Sequence, residues 1–376
     1  MRRRAFPGSA RAVRATVASG GGGVADGASA TFTGTGFGTN SVSTEFLGGL
    51  NGPIDSGSLG SDFSKASWAL AGNYMPRYDN TYTLCRSKAL GFDSAYHKVA
   101  NPSNSSSFGM ALDLGSGFSE VFVSGYVRYG CNTSPNLVEL QRKWLRLMPI
   151  VDVSDNTTQV YTAKWRHASG GSYVENTGHF MYPANDHVAY FNDFPDPSNY
   201  PDTFPAENTG EWYHWEFWYQ PATGTSTGDG QWTLILRKVS DGTVVMNNHD
   251  VTVNDYSSAT RYRYLVMQNY HGNSSPQPGS PGTANGTTTF EEPGDGWAFW
   301  DDLAVQWGTG ARKRVLLGNA STYAACTKFA YQPWTSWSNT SITVTVNKGP
   351  FSSLSGLYYY VIDGTGSVIN ASGIPA

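Results

Sequence analysis

Residues 210–220, GEWYHWEFWYQ, constrain this chain more than any other stretch. Five aromatics fall in the seven positions from Trp212 to Trp218, and the only charges are Glu211 and Glu216. Such a run suits the pleated surface of a sheet better than a helix. Alternation puts Tyr213, Trp215, Phe217 and Tyr219 on one face, and Trp212, His214, Glu216 and Trp218 on the other. Neither face is wholly polar, so both are expected to be covered, or one to line a concave groove. Residues 231–239, QWTLILRKV, alternate again, and Asp241-Gly242 marks a turn before a third strand from residue 244.

The rest of the composition agrees with strands. Charged residues make up 14% and aromatics 14%, with 43 glycines to turn the chain. Helical periodicity is scarce, residues 137–147 being the nearest candidate. The net charge of −4 gives no general nucleic-acid footprint. Cys85, Cys131 and Cys326 allow at most one internal disulfide and form no C-x-x-C pattern; three buried thiols are expected. No stretch reaches the roughly 18 apolar residues of a membrane-spanning helix. The basic, glycine-rich start lacks the apolar core of a Sec signal. Residues 1–28 are therefore expected to be a flexible arm.

Residues 29–40, SATFTGTGFGTN, resemble the opening strand and turn of a TIG/IPT immunoglobulin-like domain. Residues 337–349, WSNTSITVTVNKG, and 357–368, LYYYVIDGTGSV, resemble its second half, with Asn347 where the family usually has proline. The resemblance implies a discontinuous Ig-like β-sandwich from 29–50 and 312–376, with another domain, 51–311, inserted at a surface loop.

The inserted part carries about eleven strand-like runs with turn signals between them, a two-sheet pattern. The G-x-W-x-x-x-E strand, its glycine-turned neighbour and the late Trp300-Asp301-Asp302 resemble the concanavalin A-like lectin/glucanase jelly roll. The expected fold is thus all-β: an antiparallel jelly-roll sandwich plus a small Ig-like sandwich.

Chemistry is harder to find. Glycosidases of the fold resemble E-x-D-x-x-E, which is absent; Glu211 and Glu216 are five apart and fall on opposite faces. Lyases of the fold use a Tyr or His base with Arg and Gln or Asn to neutralise a carboxylate. Loose candidates are Arg261, Arg263, Gln268, Tyr270 and His271, but alternation puts the arginines and Gln268 on opposite faces. The GTSTG match around Ser226 sits in a hairpin loop, without the strand and helix a nucleophile elbow needs. The seven histidines show no zinc spacing. Asp301 and Asp302, with Asp295 nearby, invite a structural calcium. The aromatic surplus points to sugar stacking, with Trp212, His214, Glu216 and Trp218 as a groove and Trp165, Arg166 and Tyr270 beside it.

The function expected from these features is a non-enzymatic surface or virion structural protein of the phage decoration, head-fibre or tail-associated type. Its Ig-like module would dock on a particle, and its jelly roll would face outward and bind glycans. The partners would be a glycan, capsid or other virion proteins and further copies of the chain, and the location a virion or extracellular surface. The alternatives are a secreted carbohydrate-active enzyme, a polysaccharide lyase or glycoside hydrolase, and a bacterial surface adhesin.

Overall fold

Alternation of apolar and polar residues is what the backbone turns into sheets. The computed structural model describes residues 15–20, 25–39, 41–47, 68–70, 84–87, 94–99, 106–115, 118–131, 141–148, 159–160, 180–182, 189–190, 212–221, 223, 229–253, 264–272 and 296–376. Among these residues every regular element is a strand, apart from a 3-10 turn at Tyr323–Ala325.

The largest sheet runs β15 (Val244–Val253), β14 (Gly230–Lys238), β13 (Tyr213–Gln220), β8 (Val121–Cys131), β17 (Gly296–Trp307), β6 (Ser94–Val99) and β5 (Leu84–Ser87), with β3 (Ser43–Leu47) paired to β17. The aromatic strand β13 is central, antiparallel to β14 and β8 along its length. Its neighbours place Val121, Val123, Val127, Leu234 and Leu236 on the face of Tyr213, Trp215, Phe217 and Tyr219, and all nine are buried. A second sheet runs β4 (Trp68–Leu70), β7 (Ser106–Asp113), β16 (Tyr264–Gly272) and β9 (Gln141–Met148). Its Leu112 and Leu265, paired across strands, are also buried. A short third sheet holds β10 (Gln159–Val160), β11 (Phe180–Tyr182) and β12 (Ala189–Tyr190).

Two four-stranded sheets use both ends of the chain. One runs β1 (Thr16–Gly20), β2 (Ser29–Thr35), β21 (Ser341–Thr345) and β20 (Trp334–Trp337); the other β19 (Phe329–Gln332), β18 (Arg314–Gly318), β22 (Tyr358–Ile362) and β23 (Ile374–Pro375). They enclose one core, with Phe32, Phe37, Val315, Leu317, Ile342, Val344 and Tyr359 buried in it. Burying each large side chain here stabilises by about 1.5–3 kcal/mol. Phe32 meets the Tyr359 ring edge-on at 5.0 Å, and Trp337 Nε1 donates to the Phe37 carbonyl at 3.2 Å. The protein is therefore all-β, built of antiparallel sheets in sandwich-like, jelly-roll-like layers.

Two expectations change. Thr16–Gly20, read as arm, is a strand, because Thr16 and Val17 pair with Thr35 and Gly34 and Val17 packs on the core. The strand at 43–47, grouped with the terminal segments, joins the largest sheet, and its Phe46 ring lies 5.5 Å from Tyr331. The strand expected at 143–151 is found as β9, whose Leu145 and Leu147 pair with Met267 and Leu265 of β16, so the weak helical periodicity of 137–147 gives no helix over 141–148.

Candidate functional site

The expected groove face of β13 is covered from within the chain. His214 pairs with Tyr126 on one side and Arg237 on the other, and Trp218 with Phe122 and Thr233. Onto this face pack β18, β19 and the loop before them. The Tyr126 hydroxyl donates to the Phe329 carbonyl. The His214 ring lies between Tyr126, at 5.1 Å, and Phe329, at 6.0 Å. Tyr331 donates to Gln306 Oε1 at 2.5 Å, and the Gln306 amide donates to the Ala311 and Lys313 carbonyls. Trp212, His214 and Trp218 keep only 4%, 6% and 7% of their surface. These residues form an internal interface, not an open groove.

Its electrostatics favour holding over reacting. Arg314 Nη2 donates to both Glu216 oxygens at 3.0 Å, with side-chain exposures of 4% and 11%. The Arg314 guanidinium also lies over the Phe122 ring at 4.4 Å, and that of Arg312 over Trp218 at 4.2 Å. Trp218 Nε1 donates to Glu120 Oε2, whose other oxygen accepts from the Gly310 amide. Burial pushes the Glu216 carboxyl up, but Arg314 and His214 together outweigh it and hold it below its ordinary value. Burial takes His214 down to about 4, with Arg237 and Arg314 adding to the effect against Glu216. His214 is thus neutral near pH 7. Tyr323, packed on Phe329 at 5.0 Å, is pushed up to about 12 by burial and is no ready base.

The calcium expectation is not supported where it can be seen. Asp302 is buried, at a positive φ of 46°, and accepts from Asn347 Nδ2 at 3.3 Å. Among the described residues no three His, Cys, Asp or Glu side chains converge as a metal site requires. Asp295 lies outside the described residues, and Asp301 is placed only by its backbone, paired with Tyr126. Asn347, standing where the resembled family has proline, also donates to the Tyr331 carbonyl, and its own amide donates to Gln332 Oε1. Proline could make none of these bonds.

Trp165, Arg166, Arg261 and Arg263 lie outside the described residues. Tyr270 and Gln268 lie in β16, opposite Ser107 and Gly109 of β7. By register they share a face with Tyr264 and Val266, on the side away from buried Leu265. On the other flank Tyr270 pairs with Lys143 of β9, and Val266 with Arg146. Small residues, Ser107, Gly109 and Ala111, run along the β7 side of the same face, and Ala69 of β4 extends them. Asp113, opposite Tyr264 at its end, is exposed. Alternation along β9 puts Lys143 and Arg146 on opposite faces, and the backbone pairing with β16 shifts register between Met267 and Tyr270. No sequence signal marks that shift. The Arg314–Glu216 pair was also missed, although the basic trio Arg312-Lys313-Arg314 straight after β17 was the available hint.

No protein-family model matches the chain, and no curated protein matches its sequence. Among solved structures it is similar to an alginate lyase from a Chlorella virus, at 12% identity over 61% of this chain and 90% of that one, with a TM-score of 0.36. The cellulose-induced protein Cip1 is similar at 13% identity over 64% and 90%, with a TM-score of 0.32. Arcelin-5, a lectin-like defence protein from Phaseolus vulgaris, is similar at 7% identity over 71% and 99%, with a TM-score of 0.35. Likenesses of this strength do not carry over a ligand or an activity. The expectation of a virion decoration or tail protein finds no counterpart among such structures, which include a lyase, lectin-like proteins, a sialidase and O-glycanases. That reading is withdrawn.

Proposed function

We propose that the chain binds an acidic polysaccharide along the face of the second sheet that carries Tyr264, Gln268 and Tyr270, with Lys143 and Arg146 paired alongside on β9. The observation that carries this reading is the strand register, which sets Tyr270 opposite Lys143 and Val266 opposite Arg146 above the small residues of β7. Phenol rings stack on sugar faces, the amide hydrogen-bonds hydroxyls, and the two cations select carboxylates. The two terminal sheets are a discontinuous TIG-like domain in this reading. It braces the largest sheet by filling the face that would otherwise lie open.

The Tyr270–Lys143 pairing favours a second reading, cleavage of the same polymer by β-elimination. Tyr270 would take the proton from C5 and return it to the glycosidic oxygen as the C4–O bond breaks and a C4=C5 double bond forms, while Gln268 and Lys143 would neutralise the uronate carboxylate. Affinity electrophoresis in gels containing soluble polyuronates, or the same gels without them, tests binding. Retardation by polyuronate is expected, relieved in Lys143→Ala and Tyr270→Ala; unretarded wild-type protein rejects the proposal. Absorbance from unsaturated uronate ends separates turnover from binding.

A further inference from the structure

The sheet β1-β2-β21-β20 has one face in the terminal core and one outside. Register assigns Thr16 and Ser19 of β1, Ser29, Thr31, Thr33 and Thr35 of β2, Ser341, Thr343 and Thr345 of β21, and Ser336 of β20 to the outer side. Each of these ten positions carries a hydroxyl, and none carries a charge or a large apolar group. Between them on β2 and β21, Ala30, Phe32, Ile342 and Val344 are buried. The four β2 hydroxyl residues are exposed. Outer sheet faces are ordinarily studded with Lys and Glu, which also discourage unwanted contacts. Among the described residues the ion pair of Asp26 and Lys348, at 3.9 Å, sits beyond the strand ends.

The hydroxyls are also pre-set. Thr16 and Thr35 are hydrogen-bonded at 3.0 Å, Ser19 and Thr33 at 2.7 Å, and Thr31 and Thr343 at 3.1 Å. These cross-strand bonds fix side-chain torsions before any partner arrives, which lowers the ordering cost of binding. β-Branched threonine is stiff about its first torsion in any case. The sheet spaces the rows by about 4.7–4.9 Å across strands and about 6.6 Å along them.

A face with no charge has no ion to desolvate, and so matches a partner that is itself uncharged and covered in hydroxyls. Burying a charge against such a surface costs several kcal/mol, whereas a hydroxyl that exchanges water for another hydroxyl loses little. We infer that this ten-hydroxyl face docks the protein on the surface of a neutral, insoluble polysaccharide. The inference adds to the polysaccharide reading above a second surface of opposite selectivity: the second sheet takes acidic polymer, and this face takes neutral solid. It stands or falls separately, because the two faces share no residue.

The test is depletion of the full-length chain from solution by microcrystalline cellulose and by chitin, with calcium alginate gel as the charged comparison. Wild type is expected to partition onto at least one neutral solid. Thr31→Lys/Thr33→Lys, which adds two charges at exposed positions, is expected to lower that partition at least tenfold and to leave soluble polyuronate binding unchanged. Thr31→Val/Thr33→Val, which keeps strand preference while removing two hydroxyls, is expected to lower it severalfold, with the same melting temperature confirming the fold. Wild type remaining in solution over both neutral solids overturns the inference, as does full binding by the double-lysine variant. Loss of polyuronate binding in Lys143→Ala with neutral-solid binding retained leaves it standing.

Discussion

Arg314 and Glu216 lie 98 residues apart in sequence and form a two-bond ion pair, both oxygens 3.0 Å from one guanidinium nitrogen. The pair joins β18 of the terminal sheets to the central strand of the largest one. Removing one partner leaves a buried charge uncompensated, which costs about 3–5 kcal/mol. Arg314→Met is therefore expected to lower the urea midpoint sharply, and Glu216→Leu/Arg314→Met to recover much of the loss. A double variant as unstable as the single would show that the pair does not sit in a dry interface.

Stability should fall with acid through His214. Its folded value of about 4 lies below the ordinary 6.5, so the unfolded chain takes up the proton first as pH drops. Stability is complete above pH 6.5 and is lost between 6.5 and 4, by about 3 kcal/mol at 1.36 kcal/mol per unit. Glu216, held below its ordinary value, acts in the same direction at lower pH. Urea midpoints at pH 7 and pH 4.5 should differ for wild type, and the difference should shrink in His214→Phe, whose ring fits between Tyr126 and Phe329. An unchanged difference would remove His214 from the account.

The β14–β15 turn is tied to the terminal sheets through Gly242. Its φ is +79°, and a Cβ there would stand 2.5 Å from the Thr327 side chain. Gly242→Ala meets both a strained backbone and a clash, and should cost about 1–3 kcal/mol. Thermal melts of Gly242→Ala alone and with Thr327→Gly check this; the second change should return part of the loss.

Phe32 tests whether the chain's two ends form one core. It is fully buried between residues about 300 positions away in sequence. Phe32→Ala should destabilise by about 3–5 kcal/mol. Tryptophan fluorescence and far-ultraviolet circular dichroism should report the same weakened transition.

The strands were legible in the sequence where alternation was strong. Tyr213–Gln220, Gly230–Lys238 and Gly296–Trp307 are the strands that GEWYHWEFWYQ, QWTLILRKV and WAFWDDLAVQW led one to expect. β13 and β14, which flank the GTSTG stretch in sequence, pair antiparallel as its glycines implied. What alternation cannot give is the identity of whatever covers a face. Trp212, His214, Glu216 and Trp218 read equally well as a sugar groove or as an interface, and only Phe329 and Arg314 arriving from the far end decide between them. Nor can it give a bulge. One extra residue in the β16–β9 pairing moves Lys143 beside Tyr270, and nothing in KWLRLMPIV announces it.

The most direct test is the affinity of the full-length chain for soluble polyuronate, compared between Lys143→Ala/Tyr270→Ala and Trp218→Phe. The account expects at least tenfold weaker binding in the first and wild-type affinity in the second, because Trp218 is covered by Arg312 and bonded to Glu120. Retained binding in the first together with lost binding in the second would place the glycan on the covered face and contradict it.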